Sequence, residues 1–114
     1  MYKHDLIERM LTLPKEIEKT ENNILSLSIM LNAAKDEIDD IEREAILNGT
    51  ITGKNETERR AQMAALTLEA RRKMNDIEAQ LGTAKIAYNS LVNELKSLQA
   101  IAQLLGNQIP KRRI

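Results

Sequence analysis

The sequence has no cysteine, which excludes a disulfide framework, a thiolate metal site, an iron–sulfur cluster and a thiol nucleophile together. Phe and Trp are absent too, and the aromatics are Tyr2 and Tyr88 alone, so Leu, Ile, Met and Ala must build the core. That palette suits packed helices better than sheets. His4 is the single histidine, so neither an ordinary zinc or haem site nor a Ser/His/Asp triad within one chain is expected. Net charge is missing as well: 17 basic and 17 acidic residues cancel, and with them goes the general pull toward nucleic acid that a basic chain has. The longest stretches without formal charge, Asn22 to Ala34 and Ser97 to Pro110, fall short of the roughly 20 apolar residues that span a bilayer, so no membrane segment is expected. The first residues carry Asp5 and Glu8 where a signal peptide needs an apolar run, which makes a cytoplasmic setting the expectation.

What is present is a period. Leu6, Met10, Leu13, Ile17, Thr20, Ile24, Leu27, Leu31, Ala34, Ile38, Ile41 and Ala45 recur alternately four and three apart, a heptad seam. Met63, Ala70, Met74, Ile77, Leu81, Ala84, Tyr88, Leu91, Leu95, Leu98, Ala102 and Leu105 continue the same rhythm. The pattern predicts an all-α fold in one domain: a long antiparallel helical hairpin, a coiled coil, with arms over 3–47 and 56–105, a turn at 48–55 and a tail at 106–114. Each arm would be on the order of 65 to 75 Å long at about 1.5 Å per residue. Asn48 and Gly49 supply the left-handed stop for the first arm. Asn55 with Glu58 three residues on reads as a capping box that starts the second, the Asn side chain accepting an orphan amide and Glu58 reaching back. Pro14 removes an amide and predicts a short helix near 3–12 followed by a long one; the seam stays in phase through it, so a kinked continuous helix is the other reading. Gly82 inside the second arm reads as a tolerated glycine.

Charge is divided between the arms: residues 1–48 carry 6 basic and 11 acidic side chains, a balance of −5, and residues 49–114 carry 11 and 6, a balance of +5. The acidic run of Asp36, Glu37, Asp39, Asp40, Glu42 and Glu44 would meet Arg59, Arg60, Arg71 and Arg72 in a folded hairpin, which selects antiparallel pairing more than it holds the arms together. Leu25, Ile29 and Met30 widen the first stripe, and Leu66, Ile86, Val92, Ile101 and Leu104 widen the second. Such surplus needs a cover, and the expected one is a second copy, giving a dimeric four-helix bundle or a tetramer; a monomer with its terminal segment folded over the stripe is the alternative.

Chemistry is thinly represented. The stretch from Gly49 to Asn55 departs from a phosphate-binding loop, with three residues between the glycines instead of four and Asn after the Lys. Glu-x-x-His, the spacing of bundle metal sites, is absent, so no metal and no cofactor is expected, and no nucleophile and base are paired by spacing. Two basic features remain, Arg71-Arg72-Lys73 in the second arm and Lys111-Arg112-Arg113 in the tail; together they are the candidate contacts of a nucleic-acid-binding accessory protein.

The segment Asn48-Gly49-Thr50-Ile51-Thr52-Gly53-Lys54-Asn55-Glu56-Thr57-Glu58-Arg59-Arg60-Ala61-Gln62 resembles small helical proteins of tailed bacteriophages and prophages, in which Gly-Lys-Asn, acidic residues, Arg and Ala-Gln mark the turn between two coiled-coil arms. The resemblance implies a viral origin and a bacterial cytoplasm, with no catalytic residue, and directs attention to Gly53, Lys54, Asn55, Glu58 and Arg59. With Arg60 beside them, Lys54, Asn55, Glu58 and Arg59 are the candidate contacts of a non-enzymatic protein whose tip binds a protein partner, acting as regulator, inhibitor or accessory of replication, recombination or defence machinery.

Overall fold

The computed structural model describes residues 3–107. It is a helical hairpin of two elements: α1, Lys3–Leu47, and α2, Glu56–Asn107, joined by the loop 48–55. The first arm and the loop have the bounds the seam predicts. Helix α2 runs two residues past the expected end at 105, through Gly106. Pro110 and the basic tail of Lys111, Arg112 and Arg113 lie outside the described residues.

The helix break expected at Pro14 does not occur, because α1 is continuous with Pro14 inside it. Proline there removes the amide that would bond the carbonyl four residues earlier and sets its ring against the same carbonyl, at a cost of about 3 kcal/mol. Apolar burial on the flank offsets that cost. Leu13 is 0% exposed and sits with Leu6 and Leu98 in a core cluster against which Met10, Leu91, Leu95 and Ala102 pack. A break would take Leu13 out of phase with that cluster.

The chain divides into two compact units, and both helices run on from one to the other. The unit at the termini, which among the described residues spans 3–24 and 83–107, holds the Leu6, Leu13 and Leu98 cluster and buried Ala84. The unit at the loop, Leu25–Gly82, buries Leu27, Ala34, Ile38 and Ala45 of α1 with Ala70, Ile77 and Leu81 of α2. These are the seam positions of both arms, so burial follows the heptad.

Ion pairs between the helices are those of an antiparallel pair. When the seam residues take positions a and d, Arg9 and Glu94 both fall at g, Glu37 and Lys73 both at g, and Glu42 and Arg71 both at e. Antiparallel helices set g against g and e against e. Of the acid-to-arginine pairs expected across the hairpin, Glu42 to Arg71 forms, at 2.8 Å, and Lys73 to Glu37 joins it at 3.6 Å. The remaining arginines bond locally: Arg60 to Glu56, Arg72 to Glu69 and Arg59 to the Gly53 carbonyl. For Arg60 and Arg72, one helical turn brings a partner three or four residues away within reach, at less side-chain entropy than a partner across the hairpin; Arg59 instead meets the loop that folds back beside it.

Among the described residues, one buried side chain is polar, and it lies in the seam. Thr67 is completely buried, its hydroxyl donating to the Met63 carbonyl at 2.9 Å and accepting from Arg71 Nε at 3.0 Å. Arg71 thereby links the seam to Glu42 of α1 through one side chain. The side chains that widen the stripes stay outside the seam: Leu25, Ile29, Met30, Leu66, Ile86, Ile101 and Leu104 are exposed, and Val92 is half-buried.

Candidate functional site

The tip is built from its own backbone upward. Helix α1 ends in a Schellman motif: Gly49 takes φ +66°, its amide donates to the Ile46 carbonyl at 3.3 Å, and the Thr50 amide donates to the Ala45 carbonyl at 3.0 Å. Gly49 alone adopts the left-handed conformation; Asn48, read with it as a stop residue, keeps a negative φ and completes the last turn by donating to the Glu44 carbonyl. Helix α2 starts at the Asn55 cap, whose Oδ1 accepts the Glu58 amide at 2.8 Å. Glu58 does not close the reciprocal box onto Asn55 as the spacing suggests. Its Oε2 accepts the Lys54 amide instead, at 2.8 Å, because the loop folds back over the first turn and offers that donor one residue earlier.

Gln62 organises the rest of the loop. Its Oε1 accepts both the Thr52 amide, at 3.0 Å, and the Gly53 amide, at 2.8 Å, and its Nε2 donates to Thr52 Oγ1 at 3.1 Å. Arg59 donates to the Gly53 carbonyl at 3.3 Å. Gly53 lies so near α2 that an added Cβ would stand 2.7 Å from the Arg59 nitrogen and 2.8 Å from Glu58 Cβ. Among the loop amides, those of residues 48, 49, 50, 52, 53 and 54 therefore all donate within the hairpin.

The candidate contacts have distinct duties in this arrangement. Asn55 and Glu58 hold the loop, Arg59 braces the Gly53 carbonyl, and Arg60 is paired with Glu56 one turn back at 2.7 Å. The Lys54 ammonium has no hydrogen-bond or ion-pair partner among the described residues. It projects from a backbone held on both sides. Gln62 is the tip residue that spacing did not single out as a contact; the Ala61-Gln62 pair that closes the phage-like segment 48–62 was its signal.

The basic candidates on α2 lie elsewhere in the loop-side unit and each meets a carboxylate: Arg71 with Glu42, Arg72 with Glu69 at 3.1 Å and Lys73 with Glu37. At the start of α1, the ligand atoms of His4, Asp5 and Glu8 lie within 4.8 Å of one another, and all three side chains are exposed. Helix register accounts for this grouping, since His4 Nε2 and Glu8 Oε2 are one turn apart at 3.7 Å. Among the described residues no helix is long and apolar enough to cross a membrane.

A bidentate ionic contact belongs to the terminus-side unit. Arg9 grips Glu94 with two parallel bonds, Nε to Oε2 at 2.7 Å and Nη2 to Oε1 at 3.0 Å, while its Nη1 reaches Glu16. The hydrogen bond from Arg9 holds the Glu94 carboxyl below the ordinary glutamate value near 4.5 and pushes the guanidinium further up. A depressed native value means that the pair's contribution is present at neutral pH and is lost as pH falls through the lowered value of the carboxyl. The midpoint difference between the parent chain and Glu94→Gln, read by thermal unfolding, should therefore narrow between neutral and about pH 3. A difference that stayed constant over that range would show the pair to be energetically silent.

No protein-family model, no curated protein and no solved structure matches this chain.

Proposed function

We propose that this chain is a non-enzymatic coiled-coil protein that presents its loop tip to a protein partner, in the manner of the phage hairpins its turn resembles. In that reading it regulates, inhibits or assists replication, recombination or defence machinery in the cytoplasm of a bacterial host, and it works as a self-associated assembly. The observation that carries the proposal is the tip itself. Six loop amides are satisfied from within, so the loop enters a complex already ordered, while Lys54 and Arg59 offer cationic donors on it. Preorganisation of this kind lowers the ordering cost of binding and suits recognition of an acidic surface on another protein.

Nucleic-acid binding through α2 has less support. The ion pairs on Arg71, Arg72 and Lys73 place a carboxylate beside each cation, so phosphate would have to compete with a bound counter-charge.

Lys54→Glu tests the tip. The side chain takes part in none of the loop's bonds, so the far-ultraviolet spectrum should be unchanged while partner capture from a bacterial extract falls by at least about tenfold, as reversal of a contacting charge requires. Capture that survives both Lys54→Glu and Arg59→Ala would remove the tip as the contact. Salt-sensitive retention of duplex or single-stranded DNA by the same protein would move the reading to nucleic acid.

A further inference from the structure

The outer face of α2 in the terminus-side unit carries a pattern that the hairpin does not use. Ile86, Ala87, Ser90, Ser97, Ala100 and Ile101 are all exposed, at the c, f and g positions of the heptad, about a third of a turn round the helix from the seam. Ile86 is 73% exposed, the most of any large apolar side chain in this stretch. The order reads the same from either end: Ile-Ala, Ser three residues on, then Ser and, three residues on, Ala-Ile. Its midpoint falls between Asn93 and Glu94.

We infer that this face pairs two copies of the chain, α2 against α2, antiparallel about a two-fold axis beside Asn93 and Glu94. The inference rests on the self-association part of the reading above and is independent of the tip. A two-fold contact is self-complementary, each residue meeting on the partner what the partner meets on it, and a palindromic face satisfies that requirement directly. Ile86 of one copy faces Ile101 of the other, Ala87 faces Ala100, and Ser90 faces Ser97. The small residues between the isoleucines let the two backbones approach.

Charge selects the direction. Glu94 is the one charged side chain on this face between Ile86 and Ile101, and it is occupied by Arg9. Antiparallel pairing sets Glu94 against Asn93 of the second copy, whereas a parallel pair in register would set Glu94 against Glu94. Area selects the strength. Fewer than ten residues a side is under half of the 20–30 of a standard interface, so the dimer should dissociate on dilution through the range of about micromolar concentrations.

The test is sedimentation equilibrium of the full chain over a wide concentration range. The parent chain should pass from monomer to dimer. Ile86→Glu and Ile101→Lys should each weaken association by at least about tenfold without loss of helicity, since each puts a charge into the apolar contact. Mixed in equal amounts, the two variants should associate again, because one contact becomes Glu to Lys and the other remains Ile to Ile. Asn93→Cys gives an independent readout in a chain that has no other thiol: across the axis it should form a disulfide-linked dimer on mild oxidation, and Asn75→Cys, in the other unit, should not. A dimer untouched by both isoleucine substitutions overturns this face and leaves self-association standing. A parent chain that stays monomeric at the highest concentration overturns both, and mixed variants that fail to recover overturn the antiparallel register.

Discussion

Leu13→Ala should lower the stability of the hairpin by about 3 kcal/mol, within the 2–5 kcal/mol typical of a buried leucine cut to alanine. Leu13 is fully buried, and it packs with Leu6 and Leu98. Its loss removes apolar contact and leaves a cavity beside Pro14, where α1 is already short of a backbone bond. The effect should therefore be larger than burial alone implies, with fraying of residues before Pro14 as its signature. Chemical unfolding followed by circular dichroism measures the first, and amide exchange over residues 3–13 the second. Leu11→Ala is the control: at 72% exposed it should change stability by no more than about 0.5 kcal/mol. If Leu13→Ala were as mild as Leu11→Ala, the continuity of α1 through Pro14 would need another cause.

The second large effect is a contrast between two glycines. Gly53→Ala places a Cβ 2.7 Å from the Arg59 nitrogen and 2.9 Å from the Glu58 carbonyl carbon, so backbone must move. Movement there pulls the Thr52 and Gly53 amides off Gln62, and the sum should cost about 2 kcal/mol. Gly82→Ala should do the opposite. Gly82 lies within α2, an added Cβ meets nothing within 4 Å, and the helix gains about 0.5–1 kcal/mol from the lower backbone entropy of alanine. Thermal midpoints of the two variants should fall on either side of the parent. Were Gly53→Ala neutral, the loop would not be held against α2 by Gln62, and the case for an ordered tip would weaken with it.

The tip was legible in part. Asn55 as a cap and Gly49 as a stop follow from residue type at a helix end, because capping is settled within four residues of chain. The partner of the Glu58 carboxylate was not, since the spacing fits either Asn55 or Lys54, and the path of the loop decides which amide is nearer. Gly53 is needed for a close approach to α2, and a sequence does not reveal which glycine of a loop lies against its neighbour. The role of Gln62 was hidden for a related reason: it works nine and ten residues back along the chain, through a turn.

The architecture is written in the spacing of the apolar residues. Helix, seam, hairpin and turn all follow from apolar residues three and four apart, from Gly49 as a stop and from Asn55 as a cap, which act locally and add up over many turns. The exceptions come from packing between the helices. It kept α1 whole at Pro14, because burial of Leu13 with Leu98 outweighs a lost amide bond. It chose Glu94 for Arg9 and Glu42 for Arg71 among many acids, because only the register between helices brings residues 85 and 29 positions apart within bonding distance. It buried Thr67 completely in the seam, where its hydroxyl is satisfied by the Met63 carbonyl and by Arg71, which in turn reaches Glu42 of the opposite helix.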